Sequence, residues 1–163
     1  MKTNPDYKTG RRRFGKVKRT IYEDNNPSPC EEAWLNTTLE AGAAVIVRNL
    51  ARQNGSFEEF YISSMVFGNG GTEGGNRKSI NSDRKSLFGQ VLLEKPVIAV
   101  VNPDNSSQAI FTSSLGKEDL VGVPINEAGL KMANGELYAM TTFADYTKGE
   151  NMRINYDWNV YFY

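Results

Sequence analysis

The strictest constraint on this chain lies at its end. In MRINYDWNVYFY, Met152, Ile154, Tyr156, Trp158, Val160 and Phe162 alternate with Arg153, Asn155, Asp157, Asn159, Tyr161 and Tyr163. A period of two puts the first set on one face of a β-strand and the second set on the other. A strand with one apolar face needs a sheet beside it and a core beneath it, so the chain is expected to be built from antiparallel strands. FEEFYISSMVF, VLLEKPVIAVV, SQAIFTSSL, DLVGVPINEAGL and GELYAMTTF fit the same plan, being rich in β-branched and aromatic residues and bounded by turn formers. Pro96 has no N–H for a ladder and predicts a bulge, an edge position or a break into two short strands. Asn134-Gly135, between two apolar segments, reads as a tight turn.

Ahead of these strands the local signals change. Ser28 has the chemistry of an N-cap, Pro29 fits a first helical position, and Glu31 stands where a capping box places a carboxylate. With Leu35, Leu39, Gly42, Ile46 and Leu50 recurring at helical steps, the pattern predicts an amphipathic helix over residues 30–54, ending near Asn54 and Gly55. The small residues of LEAGAAVIV allow another backbone to approach closely. Residues 1–29 read as an extended basic arm: the first 22 residues carry eight Lys or Arg against one Asp, while the whole chain is balanced at 19 against 19. The body is therefore net acidic, and the two unlike charges favour contact within a subunit or with a neighbour.

The expected architecture is mainly β: an antiparallel β-sandwich or flattened barrel over residues 55–163, with one amphipathic N-terminal helix and the extended basic arm. Residues 30–163 are expected to form a single domain. The candidate partner-binding residues are Arg11, Arg12, Arg13, Phe14, Lys16, Lys18, Arg19 and Tyr22 in the arm, and Tyr161 and Tyr163 on the polar face of the last strand. Cations interleaved with aromatics suit protein surfaces and also stacking on nucleic-acid bases, while outward tyrosines suit interfaces and sugars.

Catalytic chemistry finds little to build on. The chain of 163 residues has no histidine and one cysteine, Cys30, which removes the commonest general base, Ser-His and Cys-His nucleophiles and cysteine zinc clusters. The stretch SMVFGNGGTEGG, Ser64 to Gly75, invites a phosphate-binding reading, but Gly70 and Gly75, which have the P-loop spacing, are followed by Asn76 and Arg77 where the motif needs Lys and then Ser or Thr. Gly68 and Gly70 have the opening spacing of a dinucleotide fingerprint, yet Glu73 stands at the third glycine position. The glycines are expected to serve a loop between strands. Among the carboxylates Glu58, Glu59, Glu118, Asp119, Glu127, Asp145 and Asp157, no spacing singles out a glycosidase pair. No cofactor or metal is expected. No apolar run reaches the length of a membrane span.

The order of VFGNGGT, SDRKSLFG, INEAGL, NGELYAMTTF and YDWNVYF, covering Phe67 to Phe162, resembles a pattern in small virion structural proteins of tailed bacteriophages. The resemblance implies a compact β-sandwich with no enzymatic activity. It also implies a place in the virion, after synthesis in the host cytoplasm, and partners among other virion proteins or repeated copies of the chain. Tail, baseplate, neck or fibre attachment is the expected position, with capsid decoration as the alternative. A carbohydrate-binding module, resting on Tyr161 and Tyr163, is a second class of reading. Nucleic-acid binding through Arg11 to Arg13 is a third, disfavoured by the acidic body.

Overall fold

The computed structural model describes residues 15–51 and 61–161. Strands dominate them. β1 (Gly15–Glu23), β2 (Asn26–Leu35) and β3 (Thr37–Thr38) precede α1 (Glu40–Ala51). After it come β4 (Ile62–Gly68), the short β5 (Thr72–Glu73) and β6 (Asn76–Arg77), β7 (Val91–Pro96) and β8 (Ile98–Val101). The series closes with β9 (Gln108–Leu115), β10 (Pro124–Met132), β11 (Leu137–Thr147) and β12 (Met152–Tyr161).

Two five-stranded antiparallel sheets, ordered β2-β1-β12-β9-β8 and β3-β11-β10-β4-β7, enclose one shared core in a sandwich-like arrangement. The first sheet contributes Val17, Ile21, Ile154, Tyr156 and Trp158, and the second contributes Met65, Phe67, Leu130 and Phe143. Side chains of this size each contribute about 1.5–3 kcal/mol when fully buried. The alternation of β12 is realised as expected, with Ile154, Tyr156, Trp158 and Val160 buried and Arg153 exposed. Asn134-Gly135 makes the tight turn, where Gly135 N–H donates to Met132 O at 2.9 Å. Pro96 marks the break into two strands: β7 ends at it on the edge of the second sheet, and β8 begins two residues later on the edge of the first.

The second sheet is covered on its other face as well. Leu39, Val66, Leu87, Leu137 and Met140 form a smaller core there, beneath the start of α1 and the loop that follows β4. α1 leans on β11 through Gly42, where a Cβ would lie 2.5 Å from Tyr138 Cδ2 and 3.0 Å from Tyr138 Cα and O. The small-residue stretch thus permits the close approach its composition suggested.

Two expectations for the N-terminal third are corrected. The helix does not begin at Cys30: residues 26–35 are β2, and α1 starts only at Glu40, with Glu40 N–H donating to Ser82 O at 2.8 Å. Pro27 and Pro29 lie on an edge strand, where a missing N–H costs no ladder bond on the solvent side. Trp34 is drawn into the strand's packing by its ring, which stacks on Phe143 at 4.9 Å between centroids. The expected end near Asn54 and Gly55 lies outside the described residues, as do residues 1–14 of the arm. Residues 15–29 of that arm are not an extension but β1 and the start of β2, with β1 paired along its whole length to β12. Truncation separates the two halves of the arm. Removing residues 1–14 is expected to leave a cooperative thermal unfolding transition, whereas removing residues 1–29 takes out β1 and abolishes the transition, as followed by circular dichroism.

Candidate functional site

The glycine stretch is closed from within. Glu127 projects from β10 on the side away from the main core and is fully buried. Its Oε1 accepts from Gly70 N–H and Gly89 N–H at 2.8 Å each, and its Oε2 accepts from Phe88 N–H at 2.7 Å. Next to it, Asn126 Oδ1 accepts from Gly71 N–H at 2.6 Å. Asn126 Nδ2 donates to Asn69 O, Thr72 Oγ1 and Asp145 Oδ1 at 3.1, 2.9 and 2.8 Å. The amides that a phosphate would need are therefore engaged by the chain's own carboxylate and carboxamide. Gly70 and Gly89 meet back to back, since a Cβ on Gly70 would lie 2.2 Å from Gly89 N. Only hydrogen fits between the two segments.

Asp145, Asp119 and Asp157 of the sequence reading are also engaged, and so is Glu94. Asp145 accepts from Asn126 and from Thr72 Oγ1 at 2.7 Å, and these bonds hold its carboxyl below the usual range. Asp119 is pushed up by burial, but Lys95 Nζ at 2.7 Å and Gly116 N–H at 2.8 Å outweigh that and leave it lowered. Glu94 is lowered by Ser64 Oγ at 2.7 Å and by Lys131 Nζ at 2.9 Å. Asp157 accepts from Thr112 Oγ1 at 2.8 Å, with Lys18 Nζ at 3.8 Å. Glu118 is exposed on the turn after β9, and Glu58 and Glu59 lie outside the described residues. Among the described residues, no group of three His, Cys, Asp or Glu is placed to hold a metal ion.

The candidate partner-binding residues divide three ways. Lys16, Lys18 and Tyr22 of β1 and Tyr161 of β12 share the outer face of the first sheet. Between them runs a polar surface bonded across its strands: Gln108 Nε2 to Asn159 Oδ1 at 3.1 Å, Asn102 Nδ2 to Gln108 Oε1 at 2.7 Å, and Ser114 Oγ to Asn155 Oδ1 at 2.8 Å. Tyr22 pairs with Arg153 at one end of the face, and Tyr161 lies eight residues further along β12, about 27 Å away. Arg11, Arg12, Arg13, Phe14 and Tyr163 lie outside the described residues.

Arg19 is the correction in this set. It points into the core with 3% of its surface exposed. Its guanidinium carbon lies 4.1 Å from the Tyr146 ring centroid, 4.8 Å from Trp34 and 5.3 Å from Phe143. Nε donates to Glu32 Oε2 at 3.1 Å, and Nη2 bonds the same oxygen. A cation can be buried here because three π faces and a carboxylate replace its water. Behind it, burial pushes the Tyr156 phenol up to about 12 against the opposing pull of Arg19. The period-two pattern of Val17, Arg19 and Ile21 was the available signal for this placement, and the charge of Arg19 concealed it.

Sequence reading also missed the clamp role of Glu127 and Asn126; the only trace of it is an acidic residue inside an apolar strand. Compared with known proteins, the chain matches no family model, no curated protein and no solved structure.

Glu127→Ala strips three part-buried amides of their acceptor and is expected to lower stability by about 2–4 kcal/mol in urea denaturation, with Glu127→Gln losing less because one acceptor oxygen remains. A loss under about 1 kcal/mol for both would contradict the clamp. Acid acts through Glu94, Asp119 and Asp145. Their folded values are depressed, so their contribution is present above the ordinary carboxylate range and lost as pH falls through the folded values. Stability should begin to decline near about pH 4 and continue falling below it, and a flat profile through that range would contradict this assignment.

Proposed function

We propose that this chain is a non-enzymatic structural subunit of a tailed-phage virion, serving in the tail, baseplate, neck or fibre-attachment region and acting through its surfaces. The observation that carries this reading is where the resembling motifs meet. The amides of Gly70 and Gly71 from VFGNGGT, those of Phe88 and Gly89 from SLFG, and the side chains of Asn126 and Glu127 from INEAGL converge on one buried knot. Thr142 of the TTF strand joins its margin, donating from Oγ1 to Lys78 O at 3.0 Å. Motifs that build a scaffold, and whose polar groups satisfy one another, suit a protein that works by being assembled. The acidic side chains with internal partners argue in the same direction, because a general acid or base must be within reach of a substrate proton.

The arm's first 14 residues keep five of the eight N-terminal cations and are the natural tether to a neighbour, since the other three are built into β1. Antibody labelling and mass spectrometry of purified particles test the reading. The chain should be found in intact particles at repeated positions, and the form lacking residues 1–14 should fold but incorporate less. Recovery of the chain only in the soluble fraction of an infected lysate would overturn it.

A further inference from the structure

The exposed strand edges of the two sheets are not guarded alike. β2, at one edge of the first sheet, carries Pro27, Pro29, Glu31 and Glu32. β7, at an edge of the second, carries Glu94, Lys95 and Pro96. Prolines and charges are the usual means by which an edge strand avoids pairing with another chain. β8 is the other edge of the first sheet and reads Ile98-Ala99-Val100-Val101, without a proline or a charge. All four residues are exposed, Ile98 at 73%, Val100 at 54% and Val101 at 63%.

The backbone of β8 is as available as its side chains. β8 pairs with β9 through Ile98↔Thr112 and Val100↔Ile110, and Asn102 N–H donates to Gln108 O at 2.9 Å. Bonded and non-bonded pairs alternate in an antiparallel ladder, so Ala99 and Val101 turn their N–H and C=O groups away from β9. β8 has no second strand neighbour among the described residues.

We propose that β8 is a self-pairing edge, joining antiparallel to β8 of a second copy and continuing the first sheet across a twofold axis. The occupant follows from charge. In a twofold contact the same patch meets itself, so a charged edge repels its copy and a neutral apolar edge does not. β2 and β7 fail that condition, and β3, the remaining edge, is only two residues long and half-buried. The basic residues 1–14 are chemically unlike this surface and fit an acidic partner better. A register centred on Ala99 sets Ile98 of one copy opposite Val100 of the second on the outer face and lets the Ala99 amides bond reciprocally. Two four-residue strands bury less than the roughly 1,200 Å² of a stable complex, so the pairing is weak in dilute solution and takes hold where copies are held close together. The inference rests on the assembly reading above and names the surface that reading would use.

Sedimentation equilibrium of the full chain from about 10 μM to about 1 mM tests it. The wild type should show concentration-dependent dimerisation. Ile98→Lys and Val100→Glu, at exposed positions that face each other across the twofold axis, should each weaken it at least about tenfold, and their equimolar mixture should restore it by pairing the two charges. Hydrogen exchange should show the Ala99 and Val101 amides gaining protection on association, while Ile98 and Val100 are protected throughout. A wild type that stays monomeric across the range overturns the proposal. So does association unaffected by both variants, or a mixture that fails to recover. These results would leave the assembly reading to be judged by particle incorporation, which is read separately.

Discussion

A carboxylate buried beneath a loop is tolerable only when its desolvation is offset by donors, and Glu127 has three of them, all main-chain amides. The bonds reach from a central strand of the second sheet into two loop segments that have no regular ladder of their own. Those segments then lie flat enough over Val66, Leu87 and Met140 to seal a second small core. Loops seldom cover a sheet face, because their polar backbone must be satisfied there. One carboxylate and its neighbouring carboxamide supply that satisfaction. The pairing of Gly70 with Gly89 follows from the same geometry, since the amides can converge on one oxygen only if the two backbones touch.

The first sheet solves a related problem with a cation. β1 lies between β2 and β12, so a residue pointing inward from its middle is buried whatever its charge. Arg19 occupies that place among Trp34, Phe143 and Tyr146, with Glu32 accepting from its Nε and Nη2. The arrangement ties edge strand β2 to the body, and through Phe143 it ties the first sheet to the second. It also changes the meaning of the charge imbalance. Part of the basic N-terminal character is structural, held in the core by Arg19 and on the outer face by Lys16 and Lys18, where Lys18 lies 3.5 Å from Glu31.

The passage from β7 to β8 shapes the surface. By leaving one sheet at Pro96 and entering the other at Ile98, the chain brings the end edges of both sheets together along one side of the body. One of these neighbouring edges is charged and the other is apolar. A contact made along this side would be directed by β8 and bounded by the ion pairs Glu94–Lys131 and Lys95–Asp119.

Sequence by itself determined the β character, the buried face of β12 and the turn at Asn134-Gly135, and it narrowed Pro96 to a bulge, an edge or a break and LEAGAAVIV to a place where another backbone can come close. Each of these depends on residues adjacent in the chain, through side-chain period, a missing N–H or a missing Cβ. Tertiary structure decided the rest. Ser28, Pro29 and Glu31 are sound helix-start chemistry, yet pairing with β1 and the stacking of Trp34 on Phe143 make that segment a strand. Arg19 looks like part of a solvated arm until aromatics from β2 and β11 surround it. Glu127 cannot be matched to its amide donors from the sequence, because they lie 38, 39 and 57 residues away. Local patterns choose a backbone shape, but only the folded chain brings together the distant groups that let a charge be buried.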